Sequence, residues 1–99
     1  MRIIIVGCGK VGSTITEQLV KEGHDVAVID RDSDVIQDIT NNFDVMGVVG
    51  NGASYSIQKE AGIEDAHLLI AVTGSDEQNL LCCLFAKKAG NCNTIARVR

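Results

Sequence analysis

Apolar runs of strand length alternate along the chain with stretches whose apolar residues recur at helical spacing. Ile3, Ile4, Ile5 and Val6 form a β-branched run that predicts a strand, and Val11, Ile15, Leu19 and Val20 mark a helix ending at Gly23. Asp25 to Asp30 (DVAVID) reads as a second strand. Asp32, Ser33 and Asp34 place capping groups ahead of Val35, Ile36, Ile39 and Phe43, which predicts a second helix ending near Thr40, Asn41 and Asn42. Val45 to Val49 predicts a third strand, stopped by the turn Gly50, Asn51 and Gly52. A short helix capped by Ser54 follows, running through Ile57 to Ala61 and stopping at Gly62. His67 to Thr73 (HLLIAVT) is a fourth strand, and its unbroken apolar run suits a strand covered on both faces. Ser75 and Gln78 stand at capping-box spacing before a helix marked by Leu80, Leu81, Leu84 and Phe85, which ends at Gly90. Thr94 to Val98 predicts a fifth strand, with Arg97 and Arg99 beyond what a core needs.

Strands that alternate with helices make parallel βαβ units, because a helix of this length is a crossover rather than a hairpin. The pattern predicts an α/β fold, a Rossmann-type doubly wound parallel sheet in the order 3-2-1-4-5. Such sheets bind ligands where the winding changes direction, here above strands one and four. The 99 residues and 45% hydrophobic content fit one domain over residues 1–99, able to fold without metals or disulfides.

Net charge and aromatic content narrow the partners. A formal net charge of −4 and only 3% aromatic residues leave neither a basic footprint nor stacking platforms for nucleic acid. No apolar run approaches the roughly 20 residues of a membrane span, and the chain enters a strand straight after Met1 and Arg2, so a cytoplasmic location is expected. Cys8, Cys82, Cys83 and Cys92 show no C-x-x-C spacing, and neither His24 nor His67 stands in a ligand motif with them. They read as free thiols, and the two histidines as solvated residues without identifiable partners. Cys8 is set apart by its place near a helix start, which can lower a thiol pKa, although a small residue filling a tight turn is the simpler role.

The candidate chemistry lies between the first strand and the first helix. Gly7, Gly9 and Gly12 have the spacing G-x-G-x-x-G, a weak signal alone in a chain with ten glycines. Strand, glycine turn and helix follow without a gap, and in that setting each glycine has a task. Gly7 makes the tight turn, Gly9 lets a pyrophosphate approach the backbone, and Gly12 lets helix and strand pack closely. The helix start adds unpaired N–H groups and partial positive charge. Lys10 opposes the local dipole yet suits an anion. Asp30 ends the second strand 18 residues after Gly12, close to the roughly 20-residue interval at which an acidic group meets an adenosine ribose. Its carboxylate favours NAD or a simple adenine nucleotide over NADP, while the adjacent Arg31 counts the other way.

Together, IIIVGCGKVG, VGNGAS from Val49, EAGIEDAHLLIAVTGSDEQNLL from Glu60 and the final IARVR resemble the N-terminal domain of Trk-type potassium-uptake regulators, the RCK or KTN family. The resemblance covers nearly the whole chain. It implies a cytosolic regulatory subunit at the inner face of the membrane that binds NAD(H), or alternatively ATP or ADP, without turnover. Its partner would be a separate membrane potassium transporter. Residue by residue, the resemblance implies that Gly7, Cys8, Gly9, Lys10, Val11 and Gly12 hold the phosphates and Asp30 the ribose, with Arg31 a further candidate beside it. It further implies that Thr73 and Gly74 line the far half of the cleft, that Arg97 reaches in from the last strand, and that Asn51 lies on the adenine side. Many relatives have Asp at the position of Asn51 and Pro at that of Tyr55. Relatives usually continue into a smaller C-terminal ligand domain, which the 99 residues lack. A fifth strand without its covering helix predicts exposed apolar surface and self-association to a dimer or higher oligomer.

Two functions share this architecture, a regulatory binding module and the coenzyme domain of an NAD-dependent dehydrogenase separated from its catalytic half. The sequence has no His/Asp or Lys constellation placed for hydride transfer, which favours a module with no catalytic residues and no metal site.

Overall fold

The β-branched run after Met1 becomes the central strand of a parallel sheet, because every second residue faces a different helical layer. The computed structural model describes residues 1–98. Its elements in order are β1 (Arg2–Val6), α1 (Lys10–Lys21), β2 (Asp25–Asp30), α2 (Ser33–Asn42), β3 (Met46–Val49), α3 (Tyr55–Glu60), a 3₁₀ turn (Ile63–Asp65), β4 (Leu68–Ala71), α4 (Asp76–Ala89) and β5 (Asn93–Ala96). The sheet order is β3-β2-β1-β4-β5, with every neighbouring pair parallel, as the alternation of elements predicts.

Ile3, Ile5, Val26, Val28 and Ile70 face a core shared with Ile36 and Ile39 of α2 and with the half-buried Ile15, Leu19 and Val20 of α1. Ile4, Val6, Ala27, Ile29, Leu69 and Ala71 face the opposite core, shared with Cys82, Cys83 and Ala86 of α4. Burial on both faces is why these strands read as continuous apolar runs rather than alternating ones. The chain changes face after β3, so β1 and β4, although adjacent, carry their following helices on opposite sides. A crevice opens at their C-terminal ends.

The predicted strand ends extend past the ladder. The third, fourth and fifth strands are Met46–Val49, Leu68–Ala71 and Asn93–Ala96, although the Val72 N–H still donates to the Val6 carbonyl and the Arg97 N–H to the Ala71 carbonyl at 2.9 Å each. Arg99 lies outside the described residues. The 3₁₀ turn was not anticipated; it seats the fully buried Ile63 under the sheet.

The largest departures concern which helix faces turn inward. Val11 is exposed, while Gly12 and Thr16 are the buried residues of α1. On α4, Leu80, Leu81, Leu84 and Phe85 are 38% to 53% exposed, and Asn79, Cys82, Cys83 and Ala86 are buried instead. Both sets have spacings that fit one helix face, so periodicity could not choose between them. Close approach does. The inward line of α4 consists of small residues around one amide, and Cys82 packs beside Gly52. The capping box is half made: Ser75 Oγ accepts from the Gln78 N–H at 3.2 Å, but the Gln78 side chain donates to Asn51 Oδ1 rather than returning to Ser75. Ser54 holds the cap position of α3 without a capping bond, its hydroxyl pairing with Ser56 instead. The histidines are not partnerless. His67 Nδ1 accepts from the Arg2 N–H at 3.0 Å, and His24 Nε2 lies 3.8 Å from Glu22 Oε1.

Candidate functional site

The turn after β1 is shaped by two glycines. Gly7 has φ of +98°, in the left-handed region that L side chains rarely adopt, and its N–H donates to the Ile29 carbonyl at 2.8 Å. A Cβ on Gly12 would fall 1.8 Å from the Gly7 oxygen, so only glycine lets α1 start against this turn. Gly9 is different in kind. It caps α1 without a side-chain bond, and a Cβ there would meet nothing within 4 Å. The space over Gly9 belongs to a cleft. Helix starts leave their first N–H groups without intrahelical partners, so this wall of the cleft attracts anions.

The cleft has a volume of about 750 Å³, within the range typical of small-molecule and cofactor sites. It lies above the C-terminal ends of β1 and β4. Of the residues proposed from the sequence, Gly7, Gly9, Lys10, Val11, Asp30, Arg31, Thr73, Gly74 and Arg97 line it. Cys8, Gly12 and Asn51 do not.

Each of those three sits outside for a physical reason. Cys8 is 3% exposed and turns into the α1 and α2 core. Burial, and then the nearby Asp30 carboxylate, push its thiol up to about 12. The position near a helix start therefore does not produce a thiolate, and Cys8 fills the turn. Gly12 is the contact between helix and turn. Asn51 occupies the β3–α3 turn, where its Oδ1 accepts from the Ala53 N–H at 3.0 Å and from the Gln78 amide.

Asp30 does more than line a wall. One carboxylate oxygen accepts from the Cys8 N–H at 2.8 Å, and the other accepts from the Asp32 N–H at 2.9 Å. The carboxylate thus ties the end of β2 to the glycine loop. Each oxygen retains an acceptor site, since a carboxylate offers about four.

Across the cleft, the Thr73 N–H donates to Asn79 Oδ1 at 2.8 Å, and the Arg97 carbonyl accepts from Asn79 Nδ2 at 2.9 Å. Gly50, Gly52, Ser75 and Gln78 also line the site. These were not proposed as site residues. The turn signal at Gly50 to Gly52 and the cap at Ser75 both stood at strand ends on the binding side of the sheet, which was the available clue. The capping-box spacing marked Gln78 only as a helix-start residue, and its place in the cleft depends on how α4 rotates.

Among the described residues no helix is long and apolar enough to cross a membrane. The profile of the TrkA-N domain matches residues 3–99. The Trk system potassium uptake protein TrkA of Halomonas elongata is 42% identical over 100 residues, covering 100% of this chain and 22% of its own length. The chain spans a similar 22% of other such curated relatives. Two solved structures share the fold. The Shewanella denitrificans Kef CTD in AMP-bound form superposes with a TM-score of 0.79 at 21% identity, covering 95% of this chain and 58% of that one. The GsuK channel bound to NAD superposes with a TM-score of 0.82 at 19% identity, covering 94% of this chain and 17% of that one. With a family profile spanning nearly all its residues and a relative of this identity along its full length, the chain belongs to the TrkA-N domain family.

Proposed function

We propose that the chain is a nucleotide-sensing module of a potassium-uptake system, binding NAD(H) or an adenine nucleotide without turnover at the cytoplasmic face of the membrane. The observation that carries this is the cleft itself. An open Gly9 at a helix start, a carboxylate with spare acceptor sites and Arg97 from the opposite strand end line one cavity of nucleotide size. Gly7, Gly9 and Lys10 would take the phosphates, Asp30 and Arg31 the ribose, and Arg97 the phosphate from the far side. NAD in one structural neighbour and AMP in another support this class of ligand. The relative's role in potassium uptake supports the assignment to a transport system.

Regulation would follow if the ligand changes how copies of the domain pack. The outward Leu80, Leu81, Leu84 and Phe85 form an apolar face on α4, and Ile95 extends apolar exposure along β5, which supports self-association. A ligand moves such an equilibrium only through unequal affinity for its two states, and a shift from 1:99 to 99:1 takes about 5.5 kcal/mol. Arg97 would transmit occupancy to the edge strand, and the membrane transporter would read the new arrangement. Calorimetric titration with NAD+, NADH, ATP, ADP and AMP, with oligomer size measured in parallel, tests the proposal. Saturable binding of at least one nucleotide with a change in assembly is expected. Failure of every nucleotide to bind would overturn it.

A further inference from the structure

We propose that Asn79 is the positioning residue of the far side of the cleft. Its amide joins Thr73 to Arg97 and leaves the Thr73 hydroxyl to meet a ligand as an acceptor. The inference rests on the nucleotide-binding reading and deepens it.

Asn79 is fully buried on α4, one turn into the helix. An asparagine there is unfavourable for helix formation relative to alanine and costly to bury unless bonded, so its contacts have to compensate. They do so completely. Oδ1 accepts from the Thr73 N–H at 2.8 Å and from the Thr73 hydroxyl at 2.7 Å, while Nδ2 donates to the Thr73 carbonyl at 3.2 Å and the Arg97 carbonyl at 2.9 Å. Two lone pairs and two hydrogens are all that a side-chain amide offers. Its orientation is also forced, since a backbone N–H can only donate and a carbonyl can only accept. The backbone of Arg97 is thereby held on both sides, by Asn79 and by its own N–H to Ala71.

The consequence for Thr73 is chemical. A hydroxyl has one proton and two acceptor sites. The proton is directed to Asn79 at 2.7 Å in preference to the Ser75 carbonyl at 3.2 Å, and one acceptor site takes the Ser75 N–H at 3.2 Å. One acceptor site remains, on a residue that lines the cleft. It suits a ligand donor such as a ribose hydroxyl or a carboxamide, and it opposes a phosphate oxygen. With the adenosine ribose at Asp30 and the phosphates over Gly9, that donor belongs to the second nucleoside of a dinucleotide. AMP has none.

The test is calorimetric titration of NAD+ and AMP into wild type, Asn79→Ala, Thr73→Val and Thr73→Ser, with thermal melts and amide hydrogen exchange of the same proteins. NAD+ affinity is expected to fall at least tenfold in Asn79→Ala and Thr73→Val, and in Thr73→Val, which leaves the Asn79 bond to Arg97 in place, AMP affinity should stay within twofold of wild type. Thr73→Ser, which keeps the hydroxyl, should recover most of the loss, and exchange at Thr73 and Arg97 should quicken in Asn79→Ala. If Asn79→Ala fails to fold, the contrast between Thr73→Val and Thr73→Ser decides by itself. NAD+ affinity near wild type in folded Asn79→Ala, or equal losses for NAD+ and AMP in Thr73→Val, would overturn the proposal alone. Absence of binding of both ligands to wild type would overturn the nucleotide reading with it.

Discussion

Adding one methyl group to Gly9 and one to Gly12 should damage different properties of the same loop. At Gly12 the new Cβ would lie 1.8 Å from the Gly7 oxygen and 2.9 Å from its carbonyl carbon, both backbone atoms. Carbon and oxygen settle at roughly 3.3 Å or more, so turn or helix must move by about 1.5 Å. Overpacking of this kind costs about 1 to 3 kcal/mol, and the rigidity of both partners puts Gly12→Ala at about 3 or above. For a domain of this size that lowers Tm by about 12 to 24 °C. At Gly9 nothing lies within 4 Å of the new methyl, and φ of −69° with ψ of −161° is open to alanine. The poorer cap costs up to about 1 kcal/mol, and reduced freedom of the unfolded chain returns about 0.4 to 1 kcal/mol. Gly9→Ala should therefore melt within a few degrees of wild type. Its methyl would occupy the space that a pyrophosphate needs, so NAD+ affinity should fall at least tenfold, about 1.4 kcal/mol. Thermal melts and calorimetric titration of both variants read the two effects separately. Wild-type NAD+ affinity in Gly9→Ala would refute phosphate seating over Gly9, and a wild-type Tm in Gly12→Ala would refute the close-packing argument.

Three other perturbations follow from the same geometry. Asp30→Ala should weaken NAD+ binding by about 1 to 3 kcal/mol and also lower Tm, because the Cys8 N–H loses its acceptor; unchanged affinity on titration would leave Asp30 a purely structural tie. Lys10→Ala should weaken ATP more than adenosine, since only ATP presents phosphate to that side chain, and equal losses in calorimetry would refute the phosphate contact. The Cys8 thiol, raised to about 12, stays protonated in the folded state after the unfolded thiol ionises near pH 9. Its contribution is thus complete below pH 9 and lost as pH rises toward 12, by about 4 kcal/mol at most. Urea midpoints between pH 7 and 10.5 should decline less steeply in Cys8→Ala than in wild type, and parallel declines would refute the assignment.

What the sequence determined by itself was everything governed by local periodicity and by backbone geometry. The strands at Ile3 to Val6 and Asp25 to Asp30, the Asp32 cap and the sheet order could be read because each rests on neighbours in sequence or on the parallel connection rule. The glycine loop was legible for the same reason, as Gly7 and Gly12 answer steric demands that no other residue meets. Tertiary structure decided what depends on the rotation of a helix or on the meeting of distant segments. Residues 80, 81, 84 and 85 and residues 79, 82, 83 and 86 make equally regular stripes on α4. Hydrophobicity pointed to the leucines, whereas close packing against the sheet selected the asparagine, the cysteines and the alanine. That choice carried Asn79 to Thr73 and Arg97, and Gln78 to Asn51. It left the leucines facing outward, because α4 approaches the sheet and the glycine turn too closely to seat leucines beneath it, whereas the cysteines, the alanine and the fully hydrogen-bonded Asn79 amide fit.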